Sequence, residues 1–99
     1  MPVNSPTVYF IQDNPPDGPV KIGYTRRAIH ARVAEGQTFH ANALTVLTET
    51  YGTRKDETAL HRRFAHLKIR GEMFRYESEL RDLVMHLIEG NNLQSWLYY

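Results

Sequence analysis

Residues 7–24 read TVYFIQDNPPDGPVKIGY. The first six, Thr7–Gln12, are dense in β-branched and aromatic side chains, which suit a pleated, half-buried strand. Asp13–Pro19 supplies Asp, Asn, Gly and three prolines, residues that set turn geometry and cannot continue a strand ladder. Val20–Tyr24 then alternates, with Val20, Ile22 and Tyr24 on one face and Lys21 and Gly23 on the other. A hairpin with a long turn is expected, and it sets the frame for the rest of the chain.

After the hairpin, Thr25 can cap a helix over Arg26–Glu35, with Ile29 and Val33 four apart and Gly36 as its stop. An irregular stretch, Gln37–Asn42, leads to a third strand, Leu44–Tyr51, closed by Gly52. A second helix is expected to start at Thr53 or Asp56 and run to about Leu67, with Leu60, Phe64 and Leu67 as its apolar stripe. Gly71 breaks that pattern. Met73–Tyr76 reads as an extended feed into a third helix capped by Ser78. In that helix Leu80, Leu83, Val84, Leu87 and Ile88 form one core-facing stripe before Gly90. The expected fold is α+β, in the order ββαβαα: a small three-stranded antiparallel sheet flanked by three helices. Its core spans about residues 7–90, and residues 91–99 form an apolar C-terminal tail that can dock on the body, on a second copy or on a partner protein.

Ninety-nine residues suit one domain, and 41% hydrophobic with 23% charged residues argues against disorder and coiled coil. Zero cysteines exclude a disulfide framework, a thiolate zinc site, a thiol nucleophile and an iron–sulfur cluster. Any metal must be held by oxygen or imidazole. No apolar run approaches the roughly 18–20 residues needed to cross a bilayer, and residues 1–4 do not resemble a secretory leader, so a soluble cytoplasmic protein is expected. The net charge of +1 is a cancellation. Residues 21–70 carry ten Lys or Arg against four acids, whereas both flanking segments are acidic. A basic middle can present a positive face to phosphates, although it can equally be a solvated helix surface.

Among individual residues, Glu57 lies at the edge of the second helix's apolar stripe, where a carboxylate needs a cation, a metal or several donors. His61, four residues on, shares its flank. Arg32, beside Val33, can point toward the sheet and fork onto a phosphate or carboxylate. Tyr9 and Lys21 fall on neighbouring strands, and Gly23 allows close approach of a backbone or ligand. Each of these has a bland alternative in packing, ion pairing or solvation.

Their order carries more. Val8-Tyr9-Phe10, Lys21-Ile22-Gly23, Arg32, Glu57 within Glu-x-x-Leu-His-x-x-Phe, and Gly71-Glu72-Met73-Phe74 together resemble the GIY-YIG nuclease superfamily. The closest likeness is to the branch with Lys at the second Tyr. Met73 stands where Trp is usual, and no Gly precedes Val8. The resemblance covers about Thr7–Leu87 and implies the same sheet-and-helix fold, with phosphodiester hydrolysis by a metal-dependent endonuclease acting on nucleic acid, DNA being the expected substrate. Glu57 would hold Mg²⁺ or Mn²⁺ and Arg32 would stabilise the phosphoryl charge. Tyr9 or Lys21 would activate the nucleophile, a choice the residues leave open. His61, with His40 behind it, would orient water or substrate. Arg26, Arg27, Arg62, Arg63 and Lys68 would meet the nucleic-acid backbone. The alternatives are a nucleic-acid-binding module without turnover and an interaction domain that docks through the third helix and tail.

Overall fold

The computed structural model describes residues 5–27 and 44–99. Strands β1 (Thr7–Asp13) and β2 (Val20–Thr25) form the expected antiparallel hairpin, in which Tyr9 pairs with Gly23 and Ile11 with Lys21. Gln12, almost fully buried, closes its turn by donating from Nε2 to the carbonyls of Pro16 at 2.7 Å and Gly18 at 2.9 Å. These bonds satisfy backbone groups that the turn prolines leave without ladder partners. Strand β3 (Leu44–Tyr51) lies antiparallel to the other side of β1. Its register shifts where Phe10 pairs with Thr48 but Ile11 with Val46, so Leu47 is the extra residue of a bulge.

Among the described residues the sheet has five strands rather than the expected three. Strands β4 (Lys68–Arg70) and β5 (Met73–Phe74) form a short antiparallel hairpin that joins the free side of β2, giving the order β3-β1-β2-β5-β4. Strands of three and two residues are too short to show periodicity. Their pairing is decided by β2, with Val20 opposite Phe74 and Lys21 opposite Met73.

Helix α1 (Arg54–Arg63) begins at the expected cap. Thr53 Oγ1 accepts from Asp56 N, and the Asp56 carboxylate accepts in return from Thr53 N at 2.8 Å, a reciprocal capping box. The helix ends at Arg63 instead of running to Leu67. A 3₁₀ turn, Ala65–Leu67, takes over and keeps Leu67 buried while redirecting the chain into β4. Helix α2 (Ser78–Ile88) has Glu77 rather than Ser78 at the cap position, with no side-chain bond to the first turn. Its stripe is buried at Leu80, Leu83, Val84 and Leu87, but Ile88 is about half exposed. The tail is partly helical: α3 (Leu93–Tyr98) is capped by Asn92, whose Oδ1 accepts from Ser95 N at 2.7 Å.

The expected helix over Arg26–Glu35 lies almost wholly outside the described residues. At its start, the Thr25 hydroxyl accepts from Arg27 N at 2.9 Å, the bond an N-cap makes. The core sits on one face of the sheet, where Val8, Phe10, Val20, Ile22 and Phe74 meet Leu60, Phe64, Leu80, Leu83, Val84 and Leu93. Among the described residues, no helix is long and apolar enough to cross a membrane.

Candidate functional site

Tyr9 is buried, although it points away from the core face that Val8 and Phe10 share. Its ring lies across Gly23, and a Cβ at position 23 would overlap the ring carbon Cζ and the hydroxyl. The glycine thus makes room for one phenol held flat against β2. Lys21, two residues before Gly23 on the same strand face, pairs with Glu72 at 3.6 Å, both side chains being partly exposed. Glu72 sits in the β4–β5 turn and is anchored there by its own carbonyl, which accepts from Ile22 N at 3.0 Å.

Helix α1 packs on β2 and brings Glu57 and His61 to the same strand. His61 Nε2 is 2.9 Å from the Ile22 carbonyl, and the ring meets Phe74 edge-on at 4.9 Å. Because a carbonyl only accepts, Nε2 carries the proton, and in the neutral ring Nδ1 is left as an acceptor. Glu57 is 7% exposed. Burial and, second, the neighbouring Glu72 charge push its carboxyl above the usual range, against the pull of His61, Arg54 and Lys21. Arg54 lies 3.8 Å from Glu57 Oε1 and places its guanidinium 4.7 Å over the Tyr24 ring.

Around β2 therefore stand three separate arrangements: Lys21 with Glu72, Glu57 with Arg54 on the helix that also carries His61, and Tyr9 against Gly23 on the strand face that Lys21 shares. Of these residues, Arg54 was not singled out from sequence, and Glu72 entered only as part of Gly71-Glu72-Met73-Phe74. Arg54 did leave a signal, since a cation in the first turn opposes the helix dipole and costs stability unless something else uses it. Glu72 stands in that motif, but its pairing with Lys21 depends on β5 joining β2, which the sequence does not show.

Arg32 and His40 lie outside the described residues. The other basic candidates are not gathered at these arrangements. Arg26 and Arg27 are exposed at the end of β2, Arg62 is exposed on α1, and Lys68 is exposed on β4. Arg63 bonds Glu79 at 3.2 Å and stacks over Trp96 at 4.9 Å, so it ties α1 to α2 and α3.

Chemically, these arrangements offer a buried carboxylate disfavoured as a bare anion, an amine, a phenol and an oriented imidazole. Among the described residues no three His, Asp or Glu side chains converge as a ready-made metal cage. The available donors are hard carboxylate oxygens, which fit Mg²⁺ or Mn²⁺ when water and substrate complete the coordination.

The T5orf172 domain family matches the chain over residues 7–89. The chain belongs to this family. The T5orf172 match contains every strand, α1 and α2, and all the residues of the arrangements around β2, whereas α3 lies beyond it. No curated protein and no solved structure matches the chain significantly.

Proposed function

We propose that this T5orf172 domain is a metal-dependent endonuclease that hydrolyses phosphodiester bonds in DNA, on a GIY-YIG-like core formed by β1, β2 and β3 and widened by the β4–β5 hairpin. The observation that carries this reading is Glu57. It is a buried carboxylate on the helix that packs on β2, its pKa raised by burial and by the Glu72 charge and drawn down by the charges of His61, Arg54 and Lys21. Ionising such a group is unfavourable until a cation arrives, which is how a metal-binding carboxylate behaves.

Hydrolysis adds water to phosphorus, breaks one P–O ester bond and returns a proton to the leaving oxygen. Charge builds on the phosphoryl oxygens, so catalysis is mainly positioning and electrostatic stabilisation. Glu57 would hold Mg²⁺ or Mn²⁺, which when bound supplies Lewis-acid stabilisation of that charge. Arg32 would present its planar fork to the phosphate. The attacking water would lose its proton to Tyr9 as the phenolate, or to Lys21 as the neutral amine once released from its pair with Glu72, the two groups that share one face of the hairpin. His61, with Nε2 committed to the Ile22 carbonyl, keeps Nδ1 as an acceptor that would orient water or substrate. Arg26, Arg27, Arg62 and Lys68 bring exposed positive charge to the backbone of the nucleic acid.

Nicking of supercoiled plasmid by wild type and Glu57→Ala, each with Mg²⁺, Mn²⁺ or EDTA, tests the proposal. Wild type should nick only with metal, and the variant should bind DNA yet fail to nick. Equal nicking by both would remove Glu57 from the site. DNA binding with no nicking under any condition would favour a module that binds without turnover.

A further inference from the structure

Asp56, the residue before Glu57, is 6% exposed, and its carboxylate accepts from two separate parts of the chain. The first is local: Thr53 N at 2.8 Å and Thr53 Oγ1 at 3.3 Å complete the cap of α1. The second comes from α3, with Tyr98 OH at 2.6 Å on Oδ1 and Gln94 Nε2 at 3.2 Å on Oδ2. Capping α1 needs only the first set. The second set is additional, and it reaches Asp56 from about forty residues away.

Helix α3 is firmly seated for this purpose. Leu93 is fully buried, and Trp96 stacks on Phe64 at 5.6 Å beneath the Arg63 guanidinium. Gln94 also donates to the Tyr51 carbonyl at 3.1 Å. Gly52 allows the close approach: a Cβ there would come within 2.7 Å of Val8 Cγ2, 3.3 Å of Leu93 Cδ2 and 3.5 Å of Asp56 Oδ2. Glu57 opens the hydrogen-bonding of the same turn, its N–H donating to the Thr53 carbonyl at 3.1 Å. Whatever fixes Asp56 and Thr53 therefore fixes the backbone from which Glu57 projects.

We infer that α3 is a clamp on the start of α1, and that Gln94 and Tyr98 are positioning residues that hold Glu57 in place through Asp56. Both donors lie beyond the residues matched by the T5orf172 family, so the clamp adds to the shared domain. The inference rests on the nuclease reading, in which Glu57 holds the cation. Small displacements of a catalytic group are expensive in rate, and a helix N-terminus frays unless it is tied.

The test compares wild type with Tyr98→Phe, Gln94→Leu and the double variant in the full chain. It reads nicking rate at saturating DNA, the KM for DNA, the Mn²⁺ concentration giving half-maximal rate, and the thermal midpoint. The double variant should turn over about tenfold more slowly and need more Mn²⁺, with an unchanged KM for DNA. Tyr98→Phe keeps the ring and its packing, so it carries the test if the double variant fails to fold. Unchanged turnover and Mn²⁺ requirement would overturn the inference, as would a rate loss that vanishes on cooling in step with the thermal midpoint. Nicking abolished by Glu57→Ala but untouched in Tyr98→Phe and Gln94→Leu would remove the clamp alone. A wild type that neither nicks nor binds Mn²⁺ would remove the nuclease reading and the clamp with it.

Discussion

A methyl group at position 23 would occupy the volume now filled by the Tyr9 phenol. Gly23→Ala therefore has two coupled expected effects. Stability should fall by roughly 1–3 kcal/mol as the ring is displaced or the strands part. Nicking should fall further than that loss alone explains, because the displaced group is a candidate to receive the proton of the attacking water. Thermal unfolding and plasmid nicking on the same variant separate the two contributions. Sequence reasoning marked Gly23 as a point of close approach for a backbone or ligand, since a glycine inside an alternating strand signals it, whereas the structure places the Tyr9 ring there. The burial of Asp56 was not. Nothing in Thr53-Arg54-Lys55-Asp56 distinguishes an acid that only caps its helix from one that also receives two donors from a segment near the chain's end.

Among the elements, α3 responds most directly to pH. Burial works to raise the Asp56 pKa, but the Tyr98 hydroxyl, the Thr53 N–H, the Gln94 amide and the Thr53 hydroxyl together hold it below its ordinary 3.8. A lowered pKa contributes stability that is present above the unfolded value and lost as pH falls through the folded one. Tyr98 has the opposite sign. Its hydrogen bond to Asp56, burial and the Asp56 charge raise it above 10.0, so its contribution holds below that pH and is lost as pH rises through the folded value. Helix α3 should therefore release in strong acid and again in strong alkali. Trp96, the single tryptophan, reports both transitions by fluorescence. Tyr98→Phe should move the acid transition to higher pH and remove this residue's part of the alkaline one. The helix itself escaped the sequence reading, where residues 91–99 appear only as an apolar tail. Six residues are too few to show a 3.6-residue period, and the Asn92 cap is a weak sign without a long helix behind it. The β4–β5 hairpin escaped for the same reason. By contrast, β1, β2, β3 and the stripe of α2 each repeat their period several times, and all were legible.

For the molecule as a whole, nearly balanced charge hides a basic middle between acidic flanks. If this middle meets a nucleic-acid backbone, binding must weaken steeply with salt, because each neutralised phosphate releases counterions. Arg62→Ala should then lower the slope of log K against log salt by about 0.9, with little change in stability. Arg63→Ala should behave differently, costing stability, because its guanidinium is spent on Glu79 and Trp96. Titrations of labelled duplex at several salt concentrations, beside thermal unfolding, distinguish the two arginines. Sequence alone placed them side by side as equivalents. Their difference comes from the neighbouring helices, which give Arg63 a carboxylate on α2 and an aromatic ring on α3 while it stays at the surface.

The bulge at Leu47 bears on how this protein meets other chains. Strand β3 forms one border of the sheet, eight residues long with neither proline nor lysine, and among the described residues its ladder partner is β1. A straight border of that length would template a foreign strand along its whole run. The spacing of backbone amides and carbonyls along β3 breaks at Leu47, so a strand in register with Thr48–Tyr51 falls out of step at Leu44–Val46. The irregularity limits the length over which any strand could match the ladder of β3.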